Sequence, residues 1–515
     1  MTKLFRYTVA FIALGAIFLL TACQGLFTPP REATRTAATA VAPTNTLPPE
    51  IIPAPTATPG GIIAPEAGTF QAPNQPTLTV WVNENSPAHE DVLREMAVEF
   101  GDAHSVTVEM RLIASNLLPD LVETAVISPE YDLPDILIFP LDYAVNWAER
   151  GVLDTAVTAQ ALDAIGRDTF DPNALAFLSG SGQPAALPSD GYPQITIYRT
   201  DWFADKGLNA PDNFTTMFNA AEALYDPENF IAGFVAPTES NLVSTHRIFE
   251  HIALANGCQL IDEIGRIQLL QPVCQDALNF YYDIIHNYSP IGVQTDTSTR
   301  DAYLSGRAGL VMAGPQLLLQ LAGLDDAHPP VCPECAATPD FLAQNSAVLA
   351  TLRGRGAQAS PTSFASMTVL GMTSQADAET AVAFAQYWFD EGYERWLAVE
   401  PERKIPLHWG TAVAPRRYID AWGSTPLQNG GPSLQDIYGA DTVAALQEAL
   451  ASNGRWGFSQ GQGALIGEVY RTLTFSIVLQ EMLSGYFGTE KTLVEAYNRV
   501  VDLIPNYPYE EVGTP

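Results

Sequence analysis

Positive charge is scarce in this chain: 25 lysines and arginines stand against 58 aspartates and glutamates in 515 residues, a formal net charge of −33. So acidic a surface repels phosphate backbones and anionic lipid headgroups, which excludes nucleic acid and an electrostatically held membrane as partners. No Gly-Lys dipeptide occurs, so the phosphate-binding loop that requires one is absent. The seven histidines are scattered, and neither His246-Arg247 nor His408-Trp409 sits at a ligand spacing, so no metal ion or cofactor is expected. Gly457-Phe458-Ser459-Gln460-Gly461 matches the pattern of a hydrolase nucleophile elbow. It lacks the strand that should precede the serine and the histidine that should follow it, His408 being the last in the chain, so no catalytic residue and no enzyme are read here.

Cysteine is scarce as well, at five residues. Cys23 ends Leu20-Thr21-Ala22-Cys23, which closes an uncharged run from Thr8 that follows Lys3 and Arg6. A basic start, a short apolar core and small residues before a cysteine read as an export signal, too short for a lasting membrane span. The segment resembles that of bacterial lipoproteins. That resemblance implies a signal peptide over residues 1–22, lipidation of Cys23, and a position outside the cytoplasm with the membrane reached through the lipid alone. Residues 23–76 are rich in Pro, Thr and Ala without helical or strand period, and read as a disordered tether with a reach on the order of 40 Å. Two Ile-Ile pairs within it are too isolated to form a core.

An oxidising compartment makes disulfides the first reading of the remaining four cysteines, Cys258 with Cys274 and Cys332 with Cys335. The first pair brackets a turn at Asp262-Glu263-Ile264-Gly265 and reads as a staple. Cys332-Pro333-Glu334-Cys335 follows Pro329-Pro330, which favours a loop over the helix N-terminus that a redox pair needs. Redox work, or zinc binding with His328, stays open as the second reading.

Order begins at Thr77. Leu78 to Val82 is a strand candidate, Ser86-Pro87 opens a helix carrying Val92, Met96 and Phe100, and Val106 to Leu112 alternates as a second strand. A helix through Leu117 to Val126 then leads to the strand Asp135 to Phe139. Strand, helix, strand, helix, strand implies a parallel sheet with right-handed crossovers. The alternation recurs at Ile195 to Tyr198, Asn213 to Tyr225, Ala308 to Met312 and Met367 to Gly371, and helices at Ala378 to Trp388, Leu465 to Met482 and Thr489 to Leu503 close the chain. Ligands in such sheets bind at the carboxyl ends of the strands. The loops Asn83-Glu84-Asn85-Ser86 and Pro140-Leu141-Asp142-Tyr143 lie there, and the carboxylates of Glu84 and Asp142 suit adjacent hydroxyls.

Several segments, in order, carry a resemblance: Leu133-Pro134-Asp135-Ile136; Leu187-Pro188 through Ile197-Tyr198-Arg199-Thr200-Asp201-Trp202-Phe203; Tyr303-Leu304-Ser305-Gly306-Arg307-Ala308 with Met312-Ala313-Gly314-Pro315; and Arg403-Lys404-Ile405-Pro406-Leu407. Over nearly all of residues 77–510 the chain resembles the extracellular solute-binding proteins of sugar-type ABC importers, the family that includes maltose-binding proteins. The resemblance implies an α/β fold of two lobes, the type II periplasmic-binding-protein-like fold, with a cleft between lobes joined by hinge crossovers. Lobe 1 would take about 77–190 and 370–403 and lobe 2 about 191–369 and 404–510, with crossovers near Asp190–Gln194, Thr362–Leu370 and Arg403–Leu407. It implies a monomer that captures a small-molecule solute, a mono- or oligosaccharide, and delivers it to ABC permease subunits. Carried onto matching positions, the family's cleft gives Glu84, Asn85, Asp142, Tyr192, Gln316 and Trp456 as ligand-binding candidates. Gln316 stands where many sugar binders carry a stacking Trp, which leaves a non-sugar solute such as a peptide open. A sensor or adhesion lipoprotein of the same fold is the alternative.

Overall fold

A computed structural model describes residues 62–63 and 75–507, apart from 85, 129, 180–181, 357–358, 429 and 506. Two sheets organise the described residues. The first has seven strands in the order β1-β3-β2-β4-β10-β5-β11, from β1 (Ile62–Ile63), β2 (Thr77–Val82), β3 (Thr107–Leu112), β4 (Ile136–Pro140), β5 (Leu187–Pro193), β10 (Ala365–Met372) and β11 (Ile405–Pro406). The second has four, in the order β7-β8-β6-β9, from β6 (Ile195–Arg199), β7 (Ala232–Val235), β8 (Ala308–Ala313) and β9 (Ser346–Leu349).

The parallel unit expected from the alternating pattern is present: β2 pairs in parallel with both β3 and β4. The Pro87–His104 helix starts with Pro in its first turn and buries Leu93, Met96, Ala97 and Phe100, a face of helical spacing turned to the sheet. Trp388 and Trp396 lie fully buried in the same core. Asn213 caps the Phe214–Leu224 helix by accepting hydrogen bonds from the amides of Thr215 and Thr216.

The hinge is built from strands that pass between the sheets. β5 runs to Pro193 in the first sheet, and one residue later β6 begins the second. The chain returns from β9 to β10, which pairs antiparallel with β4 and β5. Gly191 packs between these strands, where a Cβ would come within 2.6 Å of the Ser366 carbonyl oxygen.

Four details differ from the sequence reading. Ile62–Ile63, placed in the tether, pairs antiparallel with β3 as an edge strand; backbone pairing leaves no mark in side-chain periodicity. β11 belongs to the first sheet, against β5, and the Gly463–Arg471 helix packs on the Ala144–Glu149 helix beside that sheet, so the stretch from 404 onward does not stay in one lobe. Close helix contact explains the second of these: a Cβ on Gly467 would lie 2.6 Å from Cβ of Asn146. The Leu465 to Met482 helix is two, Gly463–Arg471 and Thr474–Leu483, broken at Leu473, which takes a left-handed conformation (φ 51°).

Cys258 is paired with Cys274 and Cys332 with Cys335, with Cα atoms 4.7 and 5.0 Å apart. The first pair joins Cys258, just after the Val243–Ala255 helix, to the first turn of the Pro272–Tyr288 helix, and so spans the turn at 262–265, where Ile261 and Ile267 form a bridge. The second pair is buried in a loop. Among the described residues no helix is long and apolar enough to cross a membrane.

Candidate functional site

Two adjoining cavities, each of about 400 Å³, open between the lobes. Both are lined by Ser115, Tyr192, Val243, Arg247, Gln316 and Ser366, so the first lobe, the hinge strands and the second lobe all contribute. A volume of that order suits a small solute.

On the first lobe the carboxyl ends of the parallel strands supply the walls. The Asn83 amide donates to the Ile138 carbonyl (2.8 Å) and its side-chain amide to the Ile113 carbonyl (3.1 Å), which pins the loop carrying Glu84 at the cavity edge. After β4, a tight turn over Leu141–Tyr143 directs Tyr143 to the cavity and Asp142 inward. Tyr143 stacks on Trp147, with ring centroids 5.2 Å apart. From the hinge, Tyr192 stands opposite Ser366 in register. On the second lobe, Gln316 opens a short helix (Gln316–Leu321) and its amide folds back over Gly314, where a Cβ would meet Oε1 at 2.3 Å.

Two charge networks flank this space. In the first, the Asp142 carboxylate is buried and accepts from Arg455 Nη2 (2.5 Å) and Arg247 Nη2 (2.7 Å). Burial pushes its carboxyl up, but the two guanidinium groups outweigh this and hold it at about 2. Arg455 also donates to Glu250 (3.2 Å), which accepts from the Trp456 amide (2.8 Å) and the Tyr470 hydroxyl (2.8 Å). Of these side chains Arg247 reaches the cavities.

In the second network Arg403 donates to Glu84 (2.7 Å) and Glu400 (2.6 Å). Behind it, the buried Lys404 donates to His89 Nε2 (2.6 Å) and to the carbonyls of Trp396 (3.1 Å) and Val399 (2.6 Å), with its ammonium 3.7 Å from the Trp396 ring. Burial, then Lys404 and Arg403, drives the His89 imidazole down to about 2, so the ring is neutral and its Nε2 is an acceptor. Glu84, His89 and Glu400 bring one ligand atom each within 4.8 Å of one another, a spacing that suits a metal ion. One oxygen of each carboxylate is engaged by Arg403 and His89 Nε2 by Lys404, so a metal would have to displace the Lys404 ammonium and share its carboxylates with Arg403.

The sequence-derived candidates separate into three groups. Glu84, Tyr192 and Gln316 line the cavities. Asn85 and Cys23 lie outside the described residues. Asp142 and Trp456, expected at the ligand, are placed elsewhere. Asp142 lies behind Arg247 with both oxygens taken by guanidinium groups. Trp456 is 0 % exposed in the core, packed on Phe475 with its indole N–H given to the Cys258 carbonyl (2.9 Å). A large aromatic whose polar edge meets a backbone acceptor gains more from burial than from waiting in water. Ser459 is an exposed turn residue.

Arg247, Arg403 and Tyr143 went unrecognised. A cation is so rare in this chain that Arg247, next to a histidine on an apolar helix, was the signal available; Tyr143 was adjacent to the loop position already chosen.

Residues 95–398 match the family described as bacterial extracellular solute-binding protein. The chain is 26% identical over 188 residues to YcjN of Escherichia coli (strain K12), which carries the name of an ABC transporter periplasmic-binding protein; the match covers 36% of this chain and 43% of that one. It is 24% identical over 224 residues to a mannitol-binding protein of Pseudomonas aeruginosa, covering 43% and 50%. The chain thus aligns with half or less of the length of these curated relatives. Among solved structures it is similar to an ABC transporter solute-binding protein of Thermotoga lettingae TMO bound with alpha-D-tagatose, with a TM-score of 0.63, 19% identity, and coverage of 83% of this chain and 100% of that one. It is likewise similar to maltose-bound MalE3 of T. maritima, with a TM-score of 0.64, 17% identity, and coverage of 83% and 100%. These likenesses concern the fold: two α/β lobes about a cleft.

Proposed function

The chain belongs to the bacterial extracellular solute-binding proteins, and on that footing we propose that it captures a carbohydrate in the cleft and delivers it to the permease of an ABC importer. The family binds solutes and performs no chemistry on them. The observation that carries the substrate reading is the composition of the cavity walls: hydroxyls of Ser115 and Ser366, the Gln316 amide and charged groups from both lobes, with Tyr143 and Tyr192 as aromatic surfaces. Sugar hydroxyls pair with the former, and the apolar faces of pyranose rings pack on the latter. Relatives and neighbours named for mannitol, tagatose and maltose support it.

Glu84, Tyr192 and Gln316 contact the solute in this reading, with Asn85 beside Glu84. Asp142 acts through Arg247, whose guanidinium it orients. A ligand that touches both lobes stabilises the closed arrangement, because contacts made only there add to its free energy. Cys23 carries the lipid, the stretch from there to the Ile62–Ile63 strand forms the tether, and the two cysteine pairs are disulfides formed outside the cytoplasm. The protein works as a monomer.

A thermal-shift screen against monosaccharides, oligosaccharides, polyols and peptides tests this. A ligand at a hundred times its dissociation constant adds about 2.7 kcal/mol and a clear rise in Tm. A rise with carbohydrates alone is the expected result; a rise with peptides alone overturns the substrate.

A further inference from the structure

Glu400 holds a backbone conformation that only its surroundings can maintain. It is left-handed (φ 53°, ψ 56°) and stands directly before Pro401, although a proline favours extended backbone in the residue ahead of it. Non-glycine residues held this way cluster at ligand clamps, where a side chain must be aimed. Glu400 lines the second cavity together with Glu84 and Arg403.

Arg403 joins the two carboxylates. Its Nε donates to Glu400 Oε2 (2.6 Å) and its Nη2 to Glu84 Oε2 (2.7 Å). One oxygen of Glu84 lies within 4.8 Å of one of Glu400. Among the described residues, Oε1 of each carboxylate and Nη1 of Arg403 have no hydrogen-bond partner, and none of the three is sealed from solvent. The side chains of Glu84, Glu400 and Arg403 keep 11, 30 and 24 % of their surface exposed. His89 Nε2, 4.0 Å from Glu84 Oε1, has no proton to give, because it accepts from Lys404.

We propose that Glu400 is a specificity-determining residue of the cleft: with Glu84 it receives two adjacent hydroxyls of the solute, and Arg403 donates to both between them. The wall offers an acceptor, a donor and an acceptor in that order. A hydroxyl both donates and accepts, so two on neighbouring carbons give one hydrogen to each carboxylate and accept from the guanidinium. Hydrogen bonds of about 2.7 Å at each end bring both carboxylates within reach of such a pair. An ammonium group has nothing to accept with. A sugar acid or phosphate brings a like charge to a wall that carries two carboxylates for one guanidinium.

This inference rests on the carbohydrate reading and names the part of the solute that the first lobe reads. The test is calorimetric titration of the full-length chain with a panel of hexoses, hexitols and maltose, then with the monodeoxy analogues of the compound that binds. Removal of either of two adjacent hydroxyls should weaken binding about tenfold or more, as for a hydrogen bond to a charged group. Glu400→Gln should bring the loss for one of these hydroxyls below about threefold, and Glu84→Gln the loss for its neighbour, because the partner is then already gone. Both variants keep the side-chain volume, and their unliganded Tm reports that they fold. The deoxy series on the wild-type protein decides by itself where a variant does not fold: without two adjacent sensitive hydroxyls the inference is overturned and carbohydrate capture stands. Losses that persist unchanged in the folded variants also overturn it. Binding of none of the panel removes the carbohydrate reading and this inference together.

Discussion

Asp142 of the first lobe and Arg247 of the second meet at 2.7 Å across the floor of the cleft. The carboxylate is buried and shared with Arg455, so its role is to hold a guanidinium at the cavity wall while joining the lobes. Removing it leaves two arginines short of a counter-charge.

Asp142→Ala should therefore destabilise the unliganded protein by about 3–5 kcal/mol, the cost of breaking a buried ion pair from one side. Urea unfolding measures it, and a loss below about 1 kcal/mol would contradict the network. Because the folded carboxyl is held below its ordinary value, this stabilisation is complete above pH 4 and disappears as pH falls toward 2.

Arg403→Ala strips Glu84 and Glu400 of their partner at the cavity edge. Solute affinity should fall at least tenfold, or about 1.4 kcal/mol, and Arg403→Lys should recover part of it, since an ammonium keeps the charge but loses the fork. Calorimetry with the cognate solute decides; an unchanged dissociation constant would place the binding surface elsewhere.

Acid should unfold this protein through its histidines. Burial drives His89 down to about 2, His246 and His408 to about 3, and His251 to about 4. The unfolded chain binds those protons near pH 6.5, so the stability they contribute is present above that pH and lost below it. Glu402, raised to about 7, works the other way. The expectation is a fall in unfolding free energy between pH 7 and 5.5, partly offset by Glu402 and by the buried Asp190 and Glu250, whose carboxyls burial likewise raises. Equal unfolding free energies at the two pH values would show that these rings are not buried neutral.

Trp456→Ala should cost about 3–5 kcal/mol of stability, as for other large buried aromatics. Its effect on solute affinity should be small beside that loss. A variant of wild-type stability that fails to bind would return Trp456 to the cleft.

Much of the fold could be read from the chain because periodicity reports burial. The alternation of Val106 to Leu112 and the spacing of Met96 and Phe100 gave the parallel unit, and that unit located the Glu84 and Asp142 loops at strand ends. What stayed hidden depends on partners distant in sequence. Asp142 reads as an exposed hydroxyl acceptor until Arg455, 313 residues away, is seen to claim it. Trp456, in a Gly-rich stretch, looks like a loop aromatic until Phe475 and the Cys258 carbonyl enclose it. Oε2 of Glu402 and Oε1 of Gln320, buried without a hydrogen-bond partner among the described residues, are likewise invisible in sequence, since being unpaired is a property of the packed structure.

The most direct test of solute capture in the interlobe cleft is calorimetric titration of the full-length chain and of Tyr192→Ala with a carbohydrate panel. Tyr192 lines both cavities from the hinge and is only partly buried, so its loss should spare the fold. The account predicts one-site binding of a carbohydrate to the wild-type chain and an affinity reduced tenfold or more in Tyr192→Ala, with little change in unliganded Tm. A carbohydrate that binds both proteins equally, or none that binds the wild type, would contradict it.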